Sequence, residues 1–153
     1  MLAWVASPVN VSLLVGGDDS LATVMHTELL RYMGDGGNRP DPAAAVRLCA
    51  LVDHLGGACD VLYVLILKQL TGNPRKQSIS RGWQMLCLCC GCFVASELLE
   101  PFVLSFVLRR RNARSTGSAV AHYARYCEAR CVLPPLEPQG PRRVPHPLLL
   151  QSA

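Results

Sequence analysis

Nowhere in this chain do about 20 apolar residues follow one another, the length a helix needs to cross a bilayer. Val61 to Leu67 is stopped by Lys68 and Gln69, and Met85 to Ala95 by Ser96 and Glu97. Both runs are expected to be buried core helices, so no transmembrane segment is expected. Charge is scarce too: 17 % of residues are charged while half are hydrophobic, a balance that argues for a packed interior and against a disordered chain. The net charge of +4 and the pI near 8.7 fall well short of a dedicated nucleic-acid binder. Aromatic residues do not interleave with the basic ones, as a base-stacking platform requires. No nucleic-acid partner is expected.

Catalytic signatures are missing as well. There is no G-x-x-x-x-G-K-[ST] loop to cradle phosphate, and Gly72-Asn73-Pro74-Arg75-Lys76 reads as a helix end and a turn. Neither a G-x-S-x-G elbow nor an H-E-x-x-H zinc helix is present. The reading is a non-enzymatic protein without a cofactor. The opening stretch is apolar but lacks a basic n-region and is broken by Pro8, so a secretory leader is not expected. Without one, the sequon at Asn10 has no consequence.

What the chain does have is helical periodicity and length for one domain with a proper core, at 153 residues. A helix is predicted from Ser20, a cap candidate, to Gly34, with Leu21, Val24, Met25, Leu29, Leu30 and Met33 at helical spacing. The second runs from Pro42, capped by Asp41, to Leu55, where Gly56-Gly57 ends it. The third, Ala58 to Thr71, is apolar nearly all round and belongs in the middle of a bundle. A fourth starts at Ser78 or Ser80 and carries Trp83, Met85, Leu86, Leu88 and Phe93. The fifth follows the cap candidate Ser96, carries Leu98, Leu99, Phe102, Val103, Phe106 and Val107, and ends in Arg109-Arg110-Arg111, basic residues that suit the negative end of its dipole. A sixth is expected from Ser115 to Cys131. No useful strand alternation occurs. The fold class is all-α: a compact bundle of about six helices over residues 20–133, preceded by a loop-like segment 1–19 and followed by a proline-rich extended tail 134–153.

Several motifs, in order, carry a family resemblance. Leu30-Arg31-Tyr32-Met33-Gly34-Asp35 resembles the "ilrymgd" motif near the start of the myosin tail homology 4 domain. Leu67-Lys68-Gln69-Leu70-Thr71-Gly72-Asn73-Pro74 resembles its "KQ-T-NP" helix ending, and Arg81-Gly82-Trp83 its "GW-LL" helix. Ser96-Glu97 through Leu104-Ser105-Phe106-Val107 is similar to its "pSe-l-pyl-sfl" helix. Tyr126-Cys127 and Gly140-Pro141-Arg142-Arg143 are similar to its closing stretch. The match covers roughly residues 25 to 145. Where the family has "DE-YCQ", this chain keeps Asp60 and Tyr63 but has Val61 and Leu65 in place of glutamate and glutamine. Paired loss of polar groups on a buried helix is tolerable for folding, whereas any partner contact through those groups is in doubt.

The resemblance implies a protein-interaction module of an unconventional-myosin tail, binding cytoskeletal filaments or cargo, with microtubules and actin as candidate filaments. It implies a FERM domain next to the module in a longer parent, a fragment or shortened product here, and a cytoplasmic, cytoskeleton-associated location. The candidate partner-binding residues are basic: Arg75, Lys76 and Arg81 around one helix–helix turn, and Arg109, Arg110, Arg111 and Arg114 at the end of another helix. If loops and helix ends share a face, they form a positive patch that attracts acidic protein tails. The competing reading is solvated helix ends that merely satisfy carbonyls. A further alternative is a structural half-module whose apolar face awaits a FERM partner.

Eight cysteines complete the inventory. They sit inside apolar runs, where a reduced cysteine acts as a small hydrophobe, and a reducing compartment is expected. Cys87, Cys89, Cys90 and Cys92 read as core filler on the fourth helix. Alternatively they form a metal or redox site completed by Cys127, Cys131 and His122. His26, His54, His122 and His146 are scattered. Met25, Met33 and Met85 are expected in the core.

Overall fold

The computed structural model describes residues 3–6, 19–37, 39–55, 57–113 and 117–132. Within them the chain forms six helices and no strand: α1 (Asp19–Met33), α2 (Ala43–His54), α3 (Ala58–Leu70), α4 (Lys76–Cys92), α5 (Glu100–Asn112) and α6 (Ser118–Val132). The proline-rich segment 134–153 lies outside the described residues.

The absence of a polar face on α3 dictates its place. Every residue from Val61 to Leu70 is buried, and the helix touches α1, α2, α4 and α5. Val61 and Leu65 take their places in this core. Met25, Met33 and Met85 are fully buried beside them, as their spacing predicts. The two polar residues of that stretch each bond a neighbouring segment. Asp60 Oδ1 accepts the Ser96 N–H at 2.9 Å, and the Tyr63 hydroxyl donates to Phe93 O at 3.1 Å. Both hold the turn between α4 and α5.

Helix α1 ends at Gly34, whose φ of 74° is open to glycine at little cost. Asp35 N–H donates to Leu30 O at 2.9 Å and Gly34 N–H to Arg31 O at 3.3 Å, the paired bonds of a Schellman ending. Helix α2 begins at Ala43, and Asp41 Oδ1 accepts the Ala43 N–H at 3.0 Å, so the aspartate caps it as anticipated.

The boundaries of three helices differ from expectation. Helix α4 starts at Lys76, not at Ser78 or Ser80, because the turn before it is closed by Asn73: Oδ1 accepts the Arg75 N–H at 2.8 Å. Ser78 is buried and donates to Asp35 Oδ2 at 2.7 Å instead of capping a helix. Phe93 is the extended residue that ends α4 and is not part of it. Helix α5 starts at Glu100, since residues 97–99 form a turn in which Ser96 O accepts from both Leu99 and Glu100. Consequently Leu98 projects into solvent, 85 % exposed, and Phe102 is 68 % exposed, while Val103 and Val107 face the core. Helix α6 starts at Ser118; Ser115 lies outside the described residues.

Candidate functional site

The two predicted basic groups are anchored on different helices. After α3, Gly72 turns the chain and Asn73 locks it, its Nδ2 donating to Gln69 O at 3.1 Å and to Ser78 Oγ at 2.9 Å. That turn aims Arg75 back at the end of α1. Its Nη1 donates to Gly34 O at 2.9 Å and pairs with Asp35 Oδ1 at 3.2 Å. Six residues further on, Arg81 Nη1 donates to Met33 O at 3.1 Å. Both arginines therefore serve the carbonyl end of α1, where the helix dipole favours a cation. Lys76 opens α4 and is exposed.

Asp35 is the hub of this corner. It is fully buried and accepts from Arg75, from Ser78, and from the Trp4 indole N–H at 3.1 Å. The segment 3–6 is tied down at the same place, with Trp4 N–H donating to Thr71 O at 2.8 Å and Lys68 Nζ to Ala3 O at 2.8 Å. Polar groups that leave water need such partners, and here one carboxylate and one ammonium hold three separate chain segments. No sequence signal marked Trp4 or Lys68 for this role, because their partners lie 31 and 65 residues away.

The second basic group ends α5. Phe106 stacks on Trp83 with centroids 5.8 Å apart, and the Arg110 guanidinium lies over Phe106 at 5.4 Å, a cation–π contact. Arg111 Nη1 reaches both carboxylate oxygens of Glu128 on α6, at 2.6 and 2.5 Å. Arg109 is exposed and borders a shallow groove of about 530 Å³ lined by Pro101, Leu104, Ser105, Leu108 and Asn112. Arg114 lies outside the described residues. Sequence reasoning missed the apolar part of this face, Leu98 and Phe102. The signal was available, since α5 carries more apolar residues than one packed face can cover.

The histidines serve no common centre. His26 is buried and hydrogen-bonded to the Gln69 amide through ring Nε2, His54 and His122 are exposed, and His146 lies outside the described residues. Among the described residues no three His, Cys, Asp or Glu side chains are arranged to hold a metal ion, and all eight cysteines are free thiols. Cys89 is core. The Cys87 and Cys127 sulfurs are 3.6 Å apart across the α4–α6 seam. Either thiol can be the donor in that contact, and the Cys87 thiol also donates to Tyr123 O at 3.6 Å; the bond with Cys127 lowers the Cys87 pKa against the opposing effect of burial. The same bond raises that of Cys127. No helix of the described residues is long and apolar enough to cross a membrane.

Six helices around a buried polar corner, with an apolar, basic-ended α5 face, define an all-α helical domain. The MyTH4 (myosin tail homology 4) domain model matches residues 56–147, and the chain belongs to that family. Human unconventional myosin-XVB is 30 % identical over 149 residues, which is 90 % of this chain and 5 % of that protein. Unconventional myosin heavy chain 6 of Caenorhabditis elegans is 41 % identical over 71 residues, 46 % of this chain and 3 % of that protein. Among solved structures, the C-terminal MyTH4-FERM domain of human myosin 7b, in complex with the harmonin-a PDZ3 domain, superposes with a TM-score of 0.69 at 30 % identity, covering 83 % of this chain and 27 % of that one. The chain thus spans a small part of each of these relatives.

Proposed function

We propose that this chain is a non-enzymatic protein-interaction module of an unconventional-myosin tail, and that the outer face of α5 is its contact surface. One observation carries the reading: exposed apolar residues, Leu98 and Phe102, lie on the same helix and its entry turn as the groove that Arg109 borders. An apolar track with a cationic end suits a partner segment that carries both hydrophobic and acidic residues. Support also comes from the myosin 7b relative, whose MyTH4-FERM unit is in complex with a PDZ domain. Of the predicted basic residues, Arg109 and Lys76 are the most available to a partner. Arg75, Arg81 and Arg111 already hold intramolecular bonds. The location that follows is cytoplasmic and cytoskeletal.

The test is co-sedimentation with microtubules, and separately with actin filaments, over a salt series. Wild-type chain should pellet at low salt and lose binding as salt rises. The double variant Phe102→Ser, Arg109→Glu should stay in the supernatant with its helical content intact. Equal pelleting by a folded variant would remove the α5 face from the reading.

A second reading draws on the same exposure. With Val94 76 %, Leu98 85 % and Phe102 68 % exposed, the chain is a half-module whose apolar face is covered by a FERM neighbour. It predicts self-association of the isolated chain in sedimentation velocity, relieved by Phe102→Ser, together with no filament binding.

A further inference from the structure

Helix spacing brings four thiols to one seam. Cys87 and Cys90 are three apart on α4, and Cys127 and Cys131 four apart on α6, so each pair shares a helix face. The faces meet: Cys87 Sγ lies 3.6 Å from Cys127 Sγ. Cys90 is within hydrogen-bonding reach of both Cys127 and Cys131. Access separates them. Cys87 is partly exposed, whereas Cys127 is fully buried and Cys90 only 9 % exposed.

We propose that Cys87 and Cys127 form an oxidisable dithiol, a modification site at which a hydroperoxide converts two thiols on α4 and α6 into one disulfide. Cys87 attacks first, being the partly exposed residue of the pair while Cys127 is fully buried; the thiolate is the nucleophile in such chemistry, and the bond with Cys127 lowers the Cys87 pKa. Its sulfur bonds to the distal peroxide oxygen, the O–O bond breaks, and the leaving oxygen takes up a proton and departs as water from hydrogen peroxide or as the alcohol from an alkyl hydroperoxide. Cys87 is then a sulfenic acid. The Cys127 sulfur attacks the sulfenyl sulfur, an S–S bond forms, the S–O bond breaks, and hydroxide leaves as water with the Cys127 proton. Two thiols have lost two electrons and one hydroperoxide has been reduced. A small thiol restores the dithiol by exchange.

Cys90 has its pKa lowered further, to about 4, by hydrogen bonds with Cys127 and Cys131, but it is buried away from an incoming peroxide. Burial raises the pKa of Cys49, and burial followed by the Asp60 charge pushes Cys59 up to about 11; both effects suppress the thiolate. The product disulfide ties α6 to α4, in addition to the Arg111–Glu128 pair that ties it to α5.

The experiment uses the whole chain, reduced, desalted, treated with hydrogen peroxide, alkylated and digested with trypsin. Cleavage at arginine isolates Cys127 in peptide 126–130 and the α4 cysteines in peptide 82–109. The expected product is these two peptides linked through Cys87, absent after reduction, with a higher melting midpoint for the oxidised protein. Cys87→Ser should yield no link. Cys127→Ser should stop at a Cys87 sulfenic acid trapped by dimedone. Because the wild-type map needs no variant, misfolding of the Cys127 variant leaves the test intact. A free Cys127 after full peroxide consumption overturns the proposal. So does a link from Cys127 to Cys90, or stoichiometric zinc on the purified chain that blocks oxidation.

Discussion

The corner around Asp35 and the seam between α4 and α6 do the same structural task with opposite chemistry. At the corner a buried carboxylate gathers Trp4, Arg75 and Ser78 through directional bonds, each with one acceptable geometry. At the seam, soft sulfur atoms, Tyr126 and Gly91 meet through short-range packing and weak thiol bonds. Directional polar contacts in a low dielectric are strong when complete and costly when one member is lost. Sulfur packing is adaptable and tolerates substitution. The corner therefore enforces register between chain segments, while the seam leaves room for chemistry at its edge.

Substitutions can break that contrast, the largest effect first. Asp35→Ala leaves the buried Ser78 hydroxyl and the Trp4 indole without an acceptor and should cost about 2–3 kcal/mol in urea unfolding. Asp35→Asn, which keeps an acceptor, should cost less. A loss below roughly 0.5 kcal/mol for the alanine variant, the scatter of ordinary surface changes, would show that the corner does not hold the fold. Next, Gly82→Ala places a Cβ 2.7 Å from Leu70 Cδ2 and 2.9 Å from Met33 Cε, both in a filled core. Overpacking of about 1–3 kcal/mol exceeds the gain of about 1 kcal/mol from replacing a helical glycine, so the midpoint should fall.

Gly91→Ala sharpens the comparison by reversing the sign. Its added Cβ meets the Tyr126 hydroxyl at 2.8 Å, but that side chain is 46 % exposed and can swing outward. Helix propensity should then win and raise stability by about 0.5–1 kcal/mol. Equal destabilisation by the two glycine variants would erase the proposed difference between a rigid and an adaptable region.

The smallest effect concerns pH. Asp41, whose side chain is 39 % exposed, has its pKa lowered from 3.8, first by the hydrogen bond from Arg47 and then by the Ala43 N–H and nearby arginines against desolvation. A depressed folded-state pKa contributes stability above the unfolded value, and that contribution is lost as pH falls through the folded one. Asp41→Asn should therefore narrow the gap in stability between pH 6 and pH 3 slightly, measured by thermal melts. An unchanged gap would mean the Arg47 pair is screened out by solvent.

Much of the fold was legible because its signals are local. Gly34, Gly57 and Asn73-Pro74 punctuate helices by backbone geometry alone, and the apolar circumference of α3 requires a central position whatever surrounds it. The error at Ser78 has a tertiary cause: a serine looks like a cap until a partner claims its hydroxyl, as Asp35 claims Ser78. Ser96 does cap the entry to α5, its Oγ accepting the Leu99 N–H at 3.3 Å, with one turn before the regular helix. The candidate site was half legible. The basic residues could be counted from the sequence, but not which of them spend their charge on carbonyls and carboxylates of the same chain.

By itself the amino-acid sequence determined six helices, their order, the buried identity of α3 and the family motifs, since periodicity, caps and breakers act over a few residues. Only the tertiary structure decided that Arg75 and Arg81 serve α1, that Leu98 and Phe102 face outward, and that Cys87 meets Cys127, 40 residues along the chain. Those outcomes depend on which helix face lands against which neighbour, and one buried helix can be covered in several ways by partners whose local patterns are identical.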